Sequence, residues 1–312
     1  MQQTFYSNGK LLITGEYLVL DGAKAFALPT KLGQNLIVEK GTNLEIQWKS
    51  YDADKSIWFE DTISFAAISN ERNSENESVK STLIAILHEA FVLNPDFINL
   101  SEGYTITTEL GFPKSWGLGT SSTLINNIAQ WLQIDAFTLL KNSFGGSGYD
   151  IACAQNDTPI LYHLEQGKPI VEKVIFSPEF VESLYFVYLN KKQNSKAAIN
   201  SYYNQKNNNL AKTIAKNNKI TQAILQADTL KSFASAIEKH EADMSTILEM
   251  QTVKESIFPD FDGVIKSLGA WGGDFILAIA KDNPKDYFTA RGYDVVLSYM
   301  DMILQNKETH SS

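Results

Sequence analysis

The chain has 312 residues, with 36 acidic against 27 basic side chains and a formal net charge of −9. That balance argues against a nucleic-acid-binding protein, because a phosphate backbone selects for a basic surface. An apolar share of 44% and a charged share of 20% match a soluble globular protein, and the length allows one large domain or two ordinary ones. Cys153 is the only cysteine, so no intrachain disulfide can form and a reducing cytoplasm is expected. His88, His163, His240 and His310 are dispersed without zinc-ligand spacing. Met1–Lys10 lacks the apolar stretch of a secretory signal. Ser115–Ile134 is long and uncharged, but Gly117, Asn126, Asn127 and Gln130 interrupt it, so it reads as a core helix rather than a membrane span.

In chain order, Lys10–Gly22 reads as two short apolar strands broken at Gly15-Glu16 and closed by the Asp21-Gly22 turn signal. Ala25–Pro29, Asn35–Glu39 and Leu44–Trp48 continue as short strands, and Asn70–Ser78 is a polar, low-complexity loop. Leu83, Ile84, Ile86, Leu87 and Phe91 predict a helix over Val79–Leu93, and alternation predicts a half-buried strand over Gly103–Leu110. Ile160–His163 and Ile170–Ile175 are strands around the Glu165–Lys168 turn, and Tyr185–Leu189 is a buried strand. Ala197–Ile257 is expected to be mostly helical. Gly263–Leu268 is expected to close a helix, Phe275–Ala280 to be a strand, and the tail Asn306–Ser312 to fray.

The stretch Pro113–Leu124 stands out. Gly117 and Gly119 let the backbone bend close to a ligand, and Thr120, Ser121 and Ser122 are good N-cap types. Leu124, Ile125, Ile128, Ala129 and Leu132 then recur at helical spacing. A helix N-terminus presents free N–H groups and partial positive charge, which suits phosphate. A strand before and a helix after is where a phosphate cradle belongs. The stretch lacks the Gly-Lys-Ser/Thr of a P-loop and the third glycine of a dinucleotide fingerprint. Gly146-Ser147-Gly148 falls short of a nucleophile elbow.

Three motifs in order resemble the GHMP kinase superfamily of small-molecule kinases. Asn8-Gly9-Lys10 through Gly15-Glu16-Tyr17 is similar to its first motif, Gly117-Leu118-Gly119-Thr120-Ser121-Ser122 to its second, and Gly269-Ala270-Trp271-Gly272-Gly273-Asp274 to its third. Together they span residues 8 to about 280. Gly146-Ser147-Gly148-Tyr149-Asp150-Ile151-Ala152 resembles an element of phosphomevalonate kinases, and mevalonate kinases share the wider pattern.

The resemblance implies an α+β, two-domain fold: a β-rich ATP-binding domain over 1–167 and a ferredoxin-like α/β domain over 168–312, with catalysis in the cleft. It implies ATP and Mg2+ as cofactors and phosphoryl transfer to a small-molecule acceptor, with no nucleic-acid or membrane partner; a homodimer is compatible with it. Gly117, Leu118, Gly119, Thr120, Ser121 and Ser122 would bind ATP, Ser121 also meeting magnesium. Asp150 matches the catalytic aspartate and Lys10 the lysine near the reacting centre. Glu16, Ser147, Gly269, Ala270, Trp271 and Gly272 fall on the acceptor side. The basic loop carrying Lys191, Lys192, Ser195 and Lys196 would bind an anionic group of the acceptor, or is a solvated surface loop.

Departures from the pattern matter as well. Asn8 replaces a common proline, Trp271 replaces a usual glycine, and no glutamate precedes Asp150 at the spacing that would supply a magnesium carboxylate. Phosphomevalonate or mevalonate is the best acceptor, with homoserine or a sugar as runner-up. A silent ligand-binding protein and an ATP-dependent decarboxylase on the same scaffold are the rivals.

Overall fold

The computed structural model describes residues 2–70, 78–191, 202, 209–269, 271 and 273–304. Strands β1 (Gln3–Thr14) and β2 (Ala25–Lys40) open the chain, followed by β3 (Glu45–Tyr51) and β4 (Ile57–Ser64). Helices α1 (Phe65–Ser69), α2 (Val79–Leu93) and α3 (Asp96–Asn99) lead to β5 (Tyr104–Leu110). Then come α4 (Thr120–Leu132), α5 (Ala136–Ser143), α6 (Tyr149–Gln155) and the hairpin β6 (Ile160–Glu165) and β7 (Lys168–Lys173). Strand β8 (Leu184–Tyr188) precedes α7 (Leu210–Leu225), α8 (Leu230–Leu248) and α9 (Val253–Ile257). The last elements are β9 (Val264–Ser267), β10 (Phe275–Ile279), α10 (Lys285–Thr289), β11 (Val296–Ser298) and α11 (Tyr299–Met302).

The chain folds into two compact units: residues 1–9, 32–114 and 118–155, and residues 10–31, 115–117 and 156–312. This division differs from a single cut after residue 167, because β1 and β2 are long enough to run from one unit into the other. Along the large sheet the order is β4-β3-β5-β2-β6-β7, with β1 beside β2.

In the first unit, β3 pairs parallel with β5 and antiparallel with β4, and residues 34–40 of β2 pair antiparallel with β5. One face of these strands, through Leu36, Ile46, Trp48 and Ile106, packs into a core with Ile86 and Leu87 of α2 and Ile125 and Ile128 of α4. The expected helix over Val79–Leu93 forms over those residues, started by a capping box in which Ser78 and Ser81 bond reciprocally. Four polar residues of α4, Ser122, Thr123, Asn126 and Asn127, are buried. Ser7 Oγ donates to Asn127 Oδ1 (2.7 Å), Asn126 Nδ2 donates to Ser7 Oγ (2.8 Å), and Thr123 Oγ1 donates to Gln34 Oε1 (2.6 Å). These satisfied buried pairs fix the rotation of α4 about its axis as apolar packing alone would not.

In the second unit, β8 to β11 form an antiparallel sheet of order β11-β8-β10-β9. Taken in chain order this is fourth, first, third, second, the ferredoxin-like arrangement expected of the C-terminal part. Helix α8 packs on β9, and α7 packs on α8.

Three local expectations are corrected. Leu18–Asp21 is a 3₁₀ turn, not a second strand, because Leu18 and Val19 are buried in a bend started by a positive φ at Tyr17. Ala25–Pro29 and Asn35–Glu39 belong to one 16-residue strand, with the Pro29 carbonyl accepting from Leu304 N–H (3.1 Å). Val264–Ser267 is a strand paired with β10 rather than a helix end, as its adjacent β-branched Val264 and Ile265 favour. Residues 71–77, most of the expected basic loop and the tail from 305 lie outside the described residues.

Candidate functional site

The phosphate-cradle candidate begins with a 3₁₀ turn at Lys114–Trp116 and enters α4 at Thr120. Gly119 caps the helix in the left-handed region (φ 98°, ψ 37°) and makes no side-chain cap bond. The expectation that a hydroxyl residue caps the helix is therefore corrected: Thr120, Ser121 and Ser122 occupy its first turn. A glycine cap has no side chain to take up the first-turn amides, which leaves a group of N–H donors with the positive end of the helix dipole behind them. Ser121 and Thr120 are partly exposed, whereas Leu118 is buried and anchors the loop. Gly117 has φ 67°, and a Cβ there would run into the Asp274 carboxylate, so both the turn and the close approach require glycine.

Asp150 lies in the first turn of α6, partly exposed, after Gly145, Gly146 and Gly148, all at positive φ. Ser147 is partly buried in the same turn. Helix α6 packs on α4, with Gln155 Nε2 donating to Asn126 Oδ1 (3.1 Å). The first unit thus brings the Leu118–Ser122 loop and the Ser147–Asp150 turn onto two helices packed together.

The second unit holds Lys10, Glu16, Gly117, Lys191, Gly269 and Trp271. Lys10 is partly buried on β1. Glu16 is 1% exposed, and its carboxylate is taken up by the Lys266 ammonium, which also lies 3.2 Å from Glu241 Oε2. Glu241 Oε1 accepts from Ser267 N–H and Oγ (3.1 and 2.7 Å). One ammonium therefore serves two buried carboxylates. Burial lowers the lysine's pKa, but Glu16 and Glu241 outweigh that and hold it above its ordinary value. For Glu16, burial prevails over Lys266 and pushes the carboxyl up to about 7.

His240 completes this cluster. Asn217 Nδ2 donates to the Lys24 carbonyl (2.9 Å), so its Oδ1 faces His240 Nε2 at 3.1 Å. The same nitrogen is approached by Gly15 N–H at 3.4 Å and lies 3.6 Å from Glu16 Oε2. Burial, with Lys266, holds the imidazole well below its ordinary pKa.

Beyond Glu16 the chain turns sharply. Tyr17 has φ 58° and ψ −45°, and Leu18 N–H donates to Glu16 O (2.6 Å), a γ-turn of the rare positive-φ kind. Strain of roughly 1–3 kcal/mol persists only where the surroundings over-determine it. Here they do: Glu16 is tied to Lys266, the Tyr17 ring stacks on Tyr202 (5.7 Å), and Tyr17 Oη accepts from Trp271 N–H (3.2 Å). Trp271 is 4% exposed and packs with Tyr17, Met244 and Leu248, so it fills the interior of this unit. Asp274, read from sequence as structural, is 8% exposed at φ 53°, and its N–H donates to Lys191 O (2.6 Å). That bond ties the third motif to the edge of the basic loop. Lys191 itself is exposed, Gly269 has φ 66° with open space where a Cβ would sit, and Lys192, Ser195, Lys196, Ala270 and Gly272 lie outside the described residues.

Sequence reasoning missed Lys266, Glu241, His240 and Asn217. A signal existed for two of them. Phe233, Ile237, Met244 and Leu248 mark the buried stripe of α8, and His240 and Glu241 occupy its remaining positions.

The two sheets, their strand orders and the glycine-capped helix define the GHMP-kinase-type fold, shared over nearly the whole chain with several solved kinases. Mevalonate kinase from Methanococcus jannaschii superposes at a TM-score of 0.72 with 16% identity, covering 98% of this chain and 99% of that one. Streptococcus pneumoniae phosphomevalonate kinase, solved with phosphomevalonate and AMPPNP, gives 0.70 at 16% identity, covering 95% and 99%. Lactococcus lactis galactokinase complexed with galactose gives 0.71 at 13% identity, covering 98% and 94%. No family model matches the chain, and no curated protein matches it in sequence. Among the described residues no helix is long and apolar enough to cross a membrane.

Proposed function

We propose that this chain is an ATP-dependent kinase that transfers the γ-phosphoryl group of Mg-ATP to a small anionic acceptor, phosphomevalonate or mevalonate being the best fit. The observation that carries the reading is the start of α4, where a left-handed glycine cap leaves first-turn amides for phosphate. The fold shared with mevalonate, phosphomevalonate and galactose kinases supports it. In this reading residues 1–167 bind ATP and 168–312 complete the acceptor side.

Gly117–Ser122 would cradle the phosphates. In this reading a magnesium ion would be held mainly by phosphate oxygens and water, with the Ser121 hydroxyl as protein contact. Such an ion neutralises charge across the phosphates. Asp150 orients the acceptor's nucleophilic oxygen or takes its proton, and Lys10 offsets negative charge at the reacting centre. Glu16, bound by Lys266, holds the turn after β1 in this reading rather than contacting the acceptor itself. Lys191 and its neighbours Lys192 and Lys196 relieve repulsion between an anionic acceptor and ATP.

The test is a panel assay: Mg-ATP with mevalonate, phosphomevalonate, homoserine and galactose, following ADP, phosphorylated product and carbon dioxide. Acceptor-dependent ADP with phosphomevalonate or mevalonate is expected; none with any acceptor would refute the kinase reading for those compounds, and carbon dioxide release would favour a decarboxylase. Asp150→Asn should lower kcat by two or more orders of magnitude, on the order expected for a lost general base, while leaving ATP affinity nearly unchanged.

A further inference from the structure

Residues 115–117 belong to the second unit, although the chain on either side of them belongs to the first. Lys114–Trp116 is a three-residue 3₁₀ turn, too short to sustain itself, and Gly117 follows at φ 67°. Glycine has more backbone freedom to lose on ordering than any other residue. Contacts from outside the segment must therefore set its conformation.

Those contacts come one per residue from the second unit's sheet. Tyr188 of β8 and Phe275 of β10 stand directly opposite each other across the strands, with ring centroids 5.4 Å apart. They are 8% and 0% exposed, and their paired register makes them one fixed platform. The half-buried Trp116 ring rests on both, meeting Phe275 edge-on at 5.3 Å and lying 6.0 Å from Tyr188. One residue earlier, the Ser115 carbonyl accepts from Tyr188 Oη (3.1 Å). One residue later, the Gly117 backbone lies against the Asp274 carboxylate. Asp274 is itself fixed by its main chain: Leu189 N–H donates to its carbonyl (2.8 Å), and its own N–H donates to Lys191 O (2.6 Å).

We propose that Trp116 is a positioning residue for nucleotide binding: seated on Tyr188 and Phe275, it holds the Gly117 backbone in the left-handed conformation that receives phosphate. The inference rests on the kinase reading, in which Gly117 opens the phosphate cradle; that reading gives Trp116, Tyr188 and Phe275 no task. Trp116 acts through Gly117 and does not touch the reacting atoms. Without its ring, glycine's near-equal access to positive and negative φ returns. If the freed segment holds the binding geometry about one time in ten, the apparent affinity falls about tenfold.

The experiment is calorimetric titration of the full chain with Mg-AMPPNP, at a temperature where circular dichroism shows each variant fully folded. Trp116→Ala should raise Kd about tenfold. Trp116→Phe keeps an aromatic ring on the platform and should return Kd to within about threefold of wild type. Tyr188→Phe removes only the hydroxyl that holds Ser115 and should raise Kd about threefold, as loss of one neutral hydrogen bond predicts. If Trp116→Ala fails to fold, Tyr188→Phe decides. A residue that served folding alone would lower the melting temperature and leave the Kd of the folded protein unchanged. That outcome, or equal weakening by Trp116→Ala and Trp116→Phe, would overturn the positioning role and leave the kinase reading standing. A wild type that does not bind Mg-AMPPNP would overturn both.

Discussion

Glu16→Gln isolates the titration of the buried carboxylate, because glutamine mimics its protonated form in shape and leaves Lys266 paired one-to-one with Glu241. In the folded protein burial lifts the Glu16 carboxyl from its ordinary 4.5 to about 7. A group whose folded pKa is raised gives stability that is fully present below its unfolded pKa and is lost as pH rises through the folded value. At about 1.4 kcal/mol per pH unit, the span from 4.5 to about 7 corresponds to about 3 kcal/mol. His240 works the other way: its folded pKa is depressed, so its contribution is present above its ordinary 6.5 and is lost as pH falls. The two slopes oppose each other in the wild type, so the wild-type curve alone hides both. The difference between wild type and Glu16→Gln removes the histidine and every surface carboxylate. Measured by urea denaturation followed by circular dichroism, the wild-type advantage should grow by about 3 kcal/mol as pH falls from about 8 to about 4.5. A difference that is independent of pH, or that grows as pH rises, would refute the argument by showing that Lys266 rather than burial controls Glu16.

Lys266→Met leaves Glu16 and Glu241 buried without a cation; the unfolding free energy at pH 8 should drop by about 3–5 kcal/mol, and part of the loss should be recovered at pH 5, where a carboxyl binds a proton. Gly117→Ala and Gly269→Ala form a matched pair. Both place alanine at positive φ, which costs about 1–2 kcal/mol, but only the first drives a Cβ into the Asp274 carboxylate. Gly117→Ala should therefore lower the melting temperature clearly more and weaken binding of a non-hydrolysable ATP analogue, whereas equal effects of the two would deny the contact a role.

What could be read from the chain was local and periodic. The helix over Val79–Leu93 appeared where its apolar spacing placed it, and the two-residue Gln166-Gly167 turn, both at positive φ, closed the β6–β7 hairpin as its flanking strands predicted. Gly117 and Gly119 were legible as turn residues before a helix, and the fold has both at positive φ with the helix starting at Thr120. The failures share a cause. Leu18–Asp21 and Val264–Ser267 are short apolar runs, and a short run has no period long enough to tell turn, strand and helix apart.

Only the tertiary structure decided what the motif residues do in space. In sequence Glu16 was an acceptor-side carboxylate; in the fold it is the buried counter-ion of a lysine 250 positions away, held with Glu241 from a helix. Trp271, placed on the acceptor side in sequence, lies in a core beside Tyr17. The physical reason is the same for both. Composition and spacing report which groups a chain carries and which elements it forms, whereas burial and pairing depend on residues far apart in the chain meeting where water is excluded.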